Sequence, residues 1–220
     1  MPDPTARRLE ALAWANAVLH GFGLPVAWVG MRPGSVVMPL PDRLSYLAAH
    51  PPLWSWGWGI WMLCALLLVA YMAGLGSFLP AHSAVARLAL VLTASGMAVD
   101  LLCDVLQISV LPGIAAAGQS SSTLFLAFEG LAFTGGATVA NGLYTTGVLL
   151  MTLRFGNRIR TPARLAGYGT VVAGYAMAAA GLLPSPDLLQ LSTGPTIGFF
   201  SLWTVLVARD LHLSGPENAD

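Results

Sequence analysis

Six long apolar stretches divide this chain, at roughly 11–31, 54–79, 88–111, 123–153, 165–184 and 195–211. A helix needs about 20 mostly apolar residues to cross a hydrocarbon layer. In lipid every backbone N–H and C=O must be bonded inside the protein, and continuous apolar runs of this length meet that demand as helices. The chain is therefore read as an all-α, polytopic membrane protein of the cell membrane. A single domain spans 1–212, and a polar tail over 213–220 is expected to be disordered. Only 9% of the 220 residues are charged, against about 25% in an ordinary soluble domain. That is too little charge to cover a water-facing surface, so the lipid bilayer is the first partner.

Proline and glycine punctuate the stretches. Pro51-Pro52 precedes the second and Pro80 ends it. Pro112-Gly113 is expected to end the third. Thr161-Pro162 reads as an N-cap and first-turn pair opening the fifth, Pro184 closes that helix, and Gly194-Pro195 opens the sixth. Pro25 is expected to kink the first. The fourth is too long for a perpendicular crossing, so it either tilts or begins in the interface from Ser121. Arg7 and Arg8 before an apolar run resemble a signal peptide, but no suitable cleavage site follows Leu24, and the segment is read as a retained first helix.

All ten basic residues are arginine. A chain without lysine cannot form a lysine Schiff base, and the sequence points to no cofactor. A formal net charge of zero argues against nucleic acid as a partner. With both termini cytoplasmic, Arg7, Arg8, Arg87, Arg154, Arg158, Arg160, Arg164 and Arg209 all fall inside and only Arg32 and Arg43 outside, the distribution expected of a membrane protein.

Between the first two stretches, Leu40, Leu44, Leu47 and Tyr46 predict a short helix lying on the outer surface. Trp54, Trp56, Trp58 and Trp61 follow, with Trp28 at similar depth. They are expected to form an aromatic belt at the headgroups; a ligand-stacking cage is the alternative. Gly167, Gly174 and Gly181 on the fifth helix, and Ala132, Gly136 and Ala140 on the fourth, predict close-packed faces. Cys64 and Cys103 are expected to be buried, inert thiols.

Three carboxylates stand in the wrong solvent. Asp100 and Asp104 are four residues apart and share one face of the third helix, with Gln107 outward and Gly96 and Thr93 inward. Glu129 opens the fourth, whose Thr134, Thr138, Asn141 and Thr145 form a second polar stripe. A carboxylate at a helix centre costs roughly 2.5–3.5 kcal/mol on insertion scales. At least one of the three is therefore expected to hold its proton at neutral pH. The chain places no arginine within a span, which leaves His20 as the basic partner. Asp100, Asp104 and Glu129 are the candidate chemical residues. His20, Asn16, Gln107, Asn141 and Tyr144 are the candidate binding residues, and one polar cavity is expected to unite the three acids.

Three functions fit. In the first, a proton- or cation-coupled transporter moves a small-molecule or lipidic ligand; six helices are few for a carrier, so a homodimer is expected. In the second, an intramembrane isomerase or cyclase acts on a lipid or isoprenoid by carboxylic acid–base chemistry. In the third, the protein is a non-catalytic membrane subunit. The chain has no GxSxG or HExxH motif, which argues against hydrolysis.

Overall fold

The computed structural model describes residues 4–118, 121–183 and 185–214. Seven helices make up almost all of these residues, and no strand occurs among them. They are α1 (Pro4–Gly34), α2 (Leu40–Ala49), α3 (Pro51–Gly76), α4 (Ala84–Ala116), α5 (Ser122–Arg154), α6 (Thr161–Leu182) and α7 (Pro186–Ser214). All but α2 are long and apolar enough to cross a membrane. The protein is a multi-pass membrane bundle.

The spanning helices form a ring. Each packs on its neighbours in sequence, and α7 closes the circle on α1. His212 Nδ1 lies 3.3 Å from a carboxylate oxygen of Glu10, so the beginning of α1 and the end of α7 lie at the same end of the bundle. Packed helix axes lie about 8–10 Å apart. Six such helices in a ring leave a central space nearly as wide as a seventh. Large side chains fill that space over the half nearest the termini. There Tyr71, Met72, Met151, Phe155 and Trp203 are fully buried, and the Tyr71 hydroxyl donates to the Thr204 carbonyl at 2.9 Å, across the ring from α3 to α7. The other half is not filled.

Several ends differ from the sequence reading. Helix α1 begins at Pro4, well before residue 11, because its charged first turns continue the helix beyond the apolar run. Helix α3 includes Pro51-Pro52 in its first turn and stops at Gly76. Helix α4 does not end at Pro112 but runs to Ala116. A π-helical segment, Leu106–Val110, precedes Pro112, which falls in the first turn of the restarted α-helix, where a missing N–H is tolerated. Thr161 does not cap α6. Asp210 of α7 does so, accepting from the Arg160 backbone N–H at 2.8 Å and from Arg160 Nε at 2.6 Å. Helix α7 opens at Pro186, with Ser185 accepting from Leu188 N–H at 3.3 Å, so Pro195 lies inside it. Hydroxyls of Ser192, Thr193 and Thr196, on either side of that proline, bond back to the carbonyls of Leu188, Leu189 and Ser192. Pro184 and residues 215–220, including most of the expected tail, lie outside the described residues.

The glycines of α6 pack as expected, and their partners repeat in register. A Cβ at Gly167, Gly174 or Gly181 would strike the side chain of Thr152, Thr145 or Thr138 of α5. Both sets recur every seven residues in antiparallel order. Thr138 also donates across the seam to the Ala178 carbonyl at 3.0 Å. Thr138 and Thr145, two of the four residues of the polar stripe on α5, are therefore spent on close packing.

Candidate functional site

The unfilled half of the ring holds a cavity of about 330 Å³ lined by all six spanning helices. It reaches the surface beside Trp28 and Arg32, which are exposed, and runs inward past Leu68, Val148 and Thr170. Asp100, Asp104 and Glu129 all line it. Asp104 lies twelve residues below the end of α4, not seven, because the helix runs on past Leu111.

The acids divide into two groups with different partners. Glu129 accepts from Arg43 Nη1 at 2.5 Å, with both side chains buried. The Arg43 guanidinium also lies 6.0 Å from the Phe125 ring centre. The expectation that no arginine reaches the acids is thus overturned. Helix α2 presses Leu44 and Leu47 against Met31, Trp54, Leu111, Ala115 and Phe125, and that docking carries Arg43 inward, the charge following a long apolar stem. The sequence held a signal: Arg43 interrupts the apolar face formed by Leu40, Leu44 and Leu47.

Among the described residues, Asp100 and Asp104 have no basic partner. Tyr144 donates to Asp100 Oδ2 at 3.1 Å. Asp104 is 1% exposed, and its Oδ2 has no hydrogen-bond partner. One turn outward, Gln107 is 7% exposed and its Oε1 is likewise unpartnered.

The expected binding residues divide in the same way. Gln107, Tyr144, Asn141 and His20 line the cavity. His20 makes no contact with a carboxylate. Its Nδ1 lies 2.9 Å from the Asn16 carbonyl, and its ring centre is 5.0 Å from Phe200 and 6.3 Å from Trp61. Asn16 does not reach the cavity: its amide ties α1 to the Leu67 carbonyl of α3 at 2.9 Å. Among the described residues no three of His, Cys, Asp and Glu are arranged to hold a metal ion. Cys64 and Cys103 are free and buried, as expected.

The aromatic belt needs correction. Trp54, Trp58 and Trp61 line the cavity together with Trp28, and only Trp56 of the α3 set faces outward, 75% exposed. At 3.6 residues per turn, positions 54, 58 and 61 share a face and position 56 opposes them. Trp54 and Trp58 meet edge to face at 5.7 Å, and Trp58 Nε1 has no partner.

Three π-helical segments occur among the described residues, Val26–Met31, Leu106–Val110 and Thr134–Ala140, and each contributes to the cavity wall. A shift from α to π spacing leaves carbonyls short of a backbone partner. Side chains supply one in each segment. Tyr46 donates to the Gly30 carbonyl, Trp54 Nε1 to Gln107 at 2.8 Å, and Asn141 Nδ2 to Gly136 at 2.9 Å. Burial pushes the Tyr46 phenol above its usual range, which keeps it a donor. The Asn141 amide is thus committed to the backbone rather than free to bind.

No family model, no curated protein and no solved structure matches the chain.

Proposed function

We propose that the protein is a proton-coupled carrier of small molecules, with Asp100 and Asp104 as the exchangeable proton site and the ring cavity as the binding site. One observation carries this reading: two neighbouring carboxyls with no basic partner line a cavity closed at one end by a side-chain plug. Acids placed this way inside a membrane protein mark proton and ion pathways. In this scheme a proton and a substrate alternate as the compensation for the acid pair, and passage requires the Tyr71–Thr204 plug to part. The Glu129–Arg43 pair is neutral as a unit and holds α2 across the ring. The arginine distribution turns the open end outward. Two copies would form the working unit, since six helices are few for a carrier.

Proteoliposomes holding a trapped pH dye test this. Cationic, neutral and anionic amphiphiles of about the cavity's size are added in turn under an imposed pH gradient. Solute-dependent proton movement is expected with at least one class and is abolished in Asp104→Asn. Proton movement with none of them ends the carrier reading.

The apolar inner wall formed by Leu68 and Val148, and the hydrogen bond between Tyr144 and Asp100, favour a second reading, an intramembrane enzyme acting on a lipid or isoprenoid. Mass spectrometry of lipids incubated with the protein separates the two. A product that depends on Asp100, without coupled uptake, would establish the enzyme.

A further inference from the structure

We infer that the cavity takes a protonated amine with an apolar body, its N–H groups donating to Asp104 Oδ2 and Gln107 Oε1 and its body lying on the tryptophan wall. The inference rests on the carrier reading of the same cavity and narrows its substrate class.

Charge is the first support. Arg43 is neutralised by Glu129, and Arg32 is exposed at the mouth over the Trp28 ring, 5.1 Å from its centre. Deeper in, among the described residues, the cavity presents two aspartates with no arginine beside them, and the ring of His20 is turned to the Asn16 carbonyl. A proton or a cationic ligand must compensate them, because ions buried without a partner are costly.

Hydrogen-bond polarity is the second. Three side chains that line the cavity carry an unpartnered buried polar atom: Asp104 Oδ2 and Gln107 Oε1, one turn apart on α4, are acceptors, and Trp58 Nε1 is a donor. A carboxylate and an amide oxygen side by side call for a ligand with at least two donor hydrogens. A primary ammonium supplies them as charge-assisted bonds. An anion would be repelled, and a lone hydroxyl would leave one oxygen unpaired.

The wall is the third. Trp54, Trp58 and Trp61 bring indole surface to the cavity at the level of the acids, which suits a cation attached to an apolar group. The volume of about 330 Å³ suits a small ligand, at the lower end of the range of about 300–1,000 Å³ for ligand pockets.

The test uses the full chain in nanodiscs and four probes of nearly equal body: phenylethylamine, 2-phenylethanol, 3-phenylpropionate and phenylethyltrimethylammonium. Binding is read by intrinsic tryptophan fluorescence. The primary amine is expected to bind at least about tenfold tighter than the alcohol and the carboxylate, a margin set by one good charge-assisted contact. The quaternary ammonium, which carries charge but no N–H, should bind more weakly than the primary amine. Asp104→Asn should erase the preference for amine over alcohol, and Gln107→Leu should weaken the primary amine while sparing the quaternary one. Equal or tighter binding of the alcohol or carboxylate to the wild-type chain overturns the inference, as does equal binding of the two ammonium probes, and neither result depends on a variant folding. Amine binding without coupled proton movement would end the carrier reading and leave this inference standing. Coupled uptake of neutral or anionic solutes alone would do the reverse.

Discussion

Arg43 of α2 meets Glu129 of α5 at 2.5 Å inside the bundle, 86 residues apart in sequence. The pair ties a surface helix to a spanning one and fixes how α2 sits over the ring. Removing one partner of a buried ion pair typically costs 3–5 kcal/mol because the other charge is left uncompensated, whereas replacing both with apolar residues of similar volume is often close to neutral. Arg43→Met is therefore expected to lower stability by about that amount, and Arg43→Met with Glu129→Leu to recover most of it. Thermal unfolding in detergent measures both. A single variant as stable as the wild type would mean that the pair contributes nothing to docking α2.

The register of glycine on threonine between α6 and α5 gives a second expectation. Gly174 faces Thr145 so closely that a Cβ would overlap the hydroxyl. Gly174→Leu should destabilise the bundle by at least the 1–3 kcal/mol typical of overpacking. Gly174→Ala should be milder, and adding Thr145→Ala should relieve it. Unchanged unfolding of Gly174→Leu in detergent would place this face towards lipid instead.

Much of this was legible in the sequence, and the misses share a cause. The six spans, the short helix over Leu40–Ala49 and the glycine face of α6 follow from local pattern, and local pattern is what a sequence displays. That Asp100, Asp104 and Glu129 line one cavity followed from helix spacing and a short connection, but the cavity is mostly apolar rather than polar, and Glu129 is paired with Arg43 rather than shared with the aspartates. Arg43 was missed because its partner is set by how α2 docks, a tertiary fact. Trp54, Trp58 and Trp61 were assigned to the headgroups from their density, although their spacing already placed them on one face. Pro112 and Pro195 were read as helix ends. The helices instead continue through them, with a π segment before the first, and a proline tolerated inside a helix leaves no distinct mark in composition.

Sidedness can be tested without disturbing the fold. Cys64 and Cys103 are buried, so the native thiols should stay silent to a membrane-impermeant maleimide. Ser45, His82 and Asn157 are all exposed. In intact cells Ser45→Cys is expected to label, and His82→Cys and Asn157→Cys only after the membrane is permeabilised. This follows from the eight arginines expected inside against two outside. The opposite labelling pattern would turn the cavity mouth towards the cytoplasm.

Two adjacent glycines on the cavity wall should behave differently. Both lie in the Thr134–Ala140 segment of α5, facing α4 near the acid pair. A Cβ at Gly136 would sit 3.5 Å from Asp100 Oδ1, an ordinary contact, whereas one at Gly135 would overlap the Cys103 sulfur. Cys103 is itself buried, which limits where that sulfur can move. Gly136→Ala is therefore expected to fold with near wild-type stability, and Gly135→Ala to lose about 1–3 kcal/mol through overpacking. Cys103→Ala should rescue the second variant specifically, since removing the sulfur removes the clash. Thermal unfolding of the four proteins, Gly136→Ala, Gly135→Ala, Cys103→Ala and the Gly135→Ala/Cys103→Ala double variant, decides the matter. If the double variant is no more stable than Gly135→Ala alone, then α4 and α5 do not approach each other through this glycine, and the wall that holds Asp100 and Asp104 against the cavity is built differently.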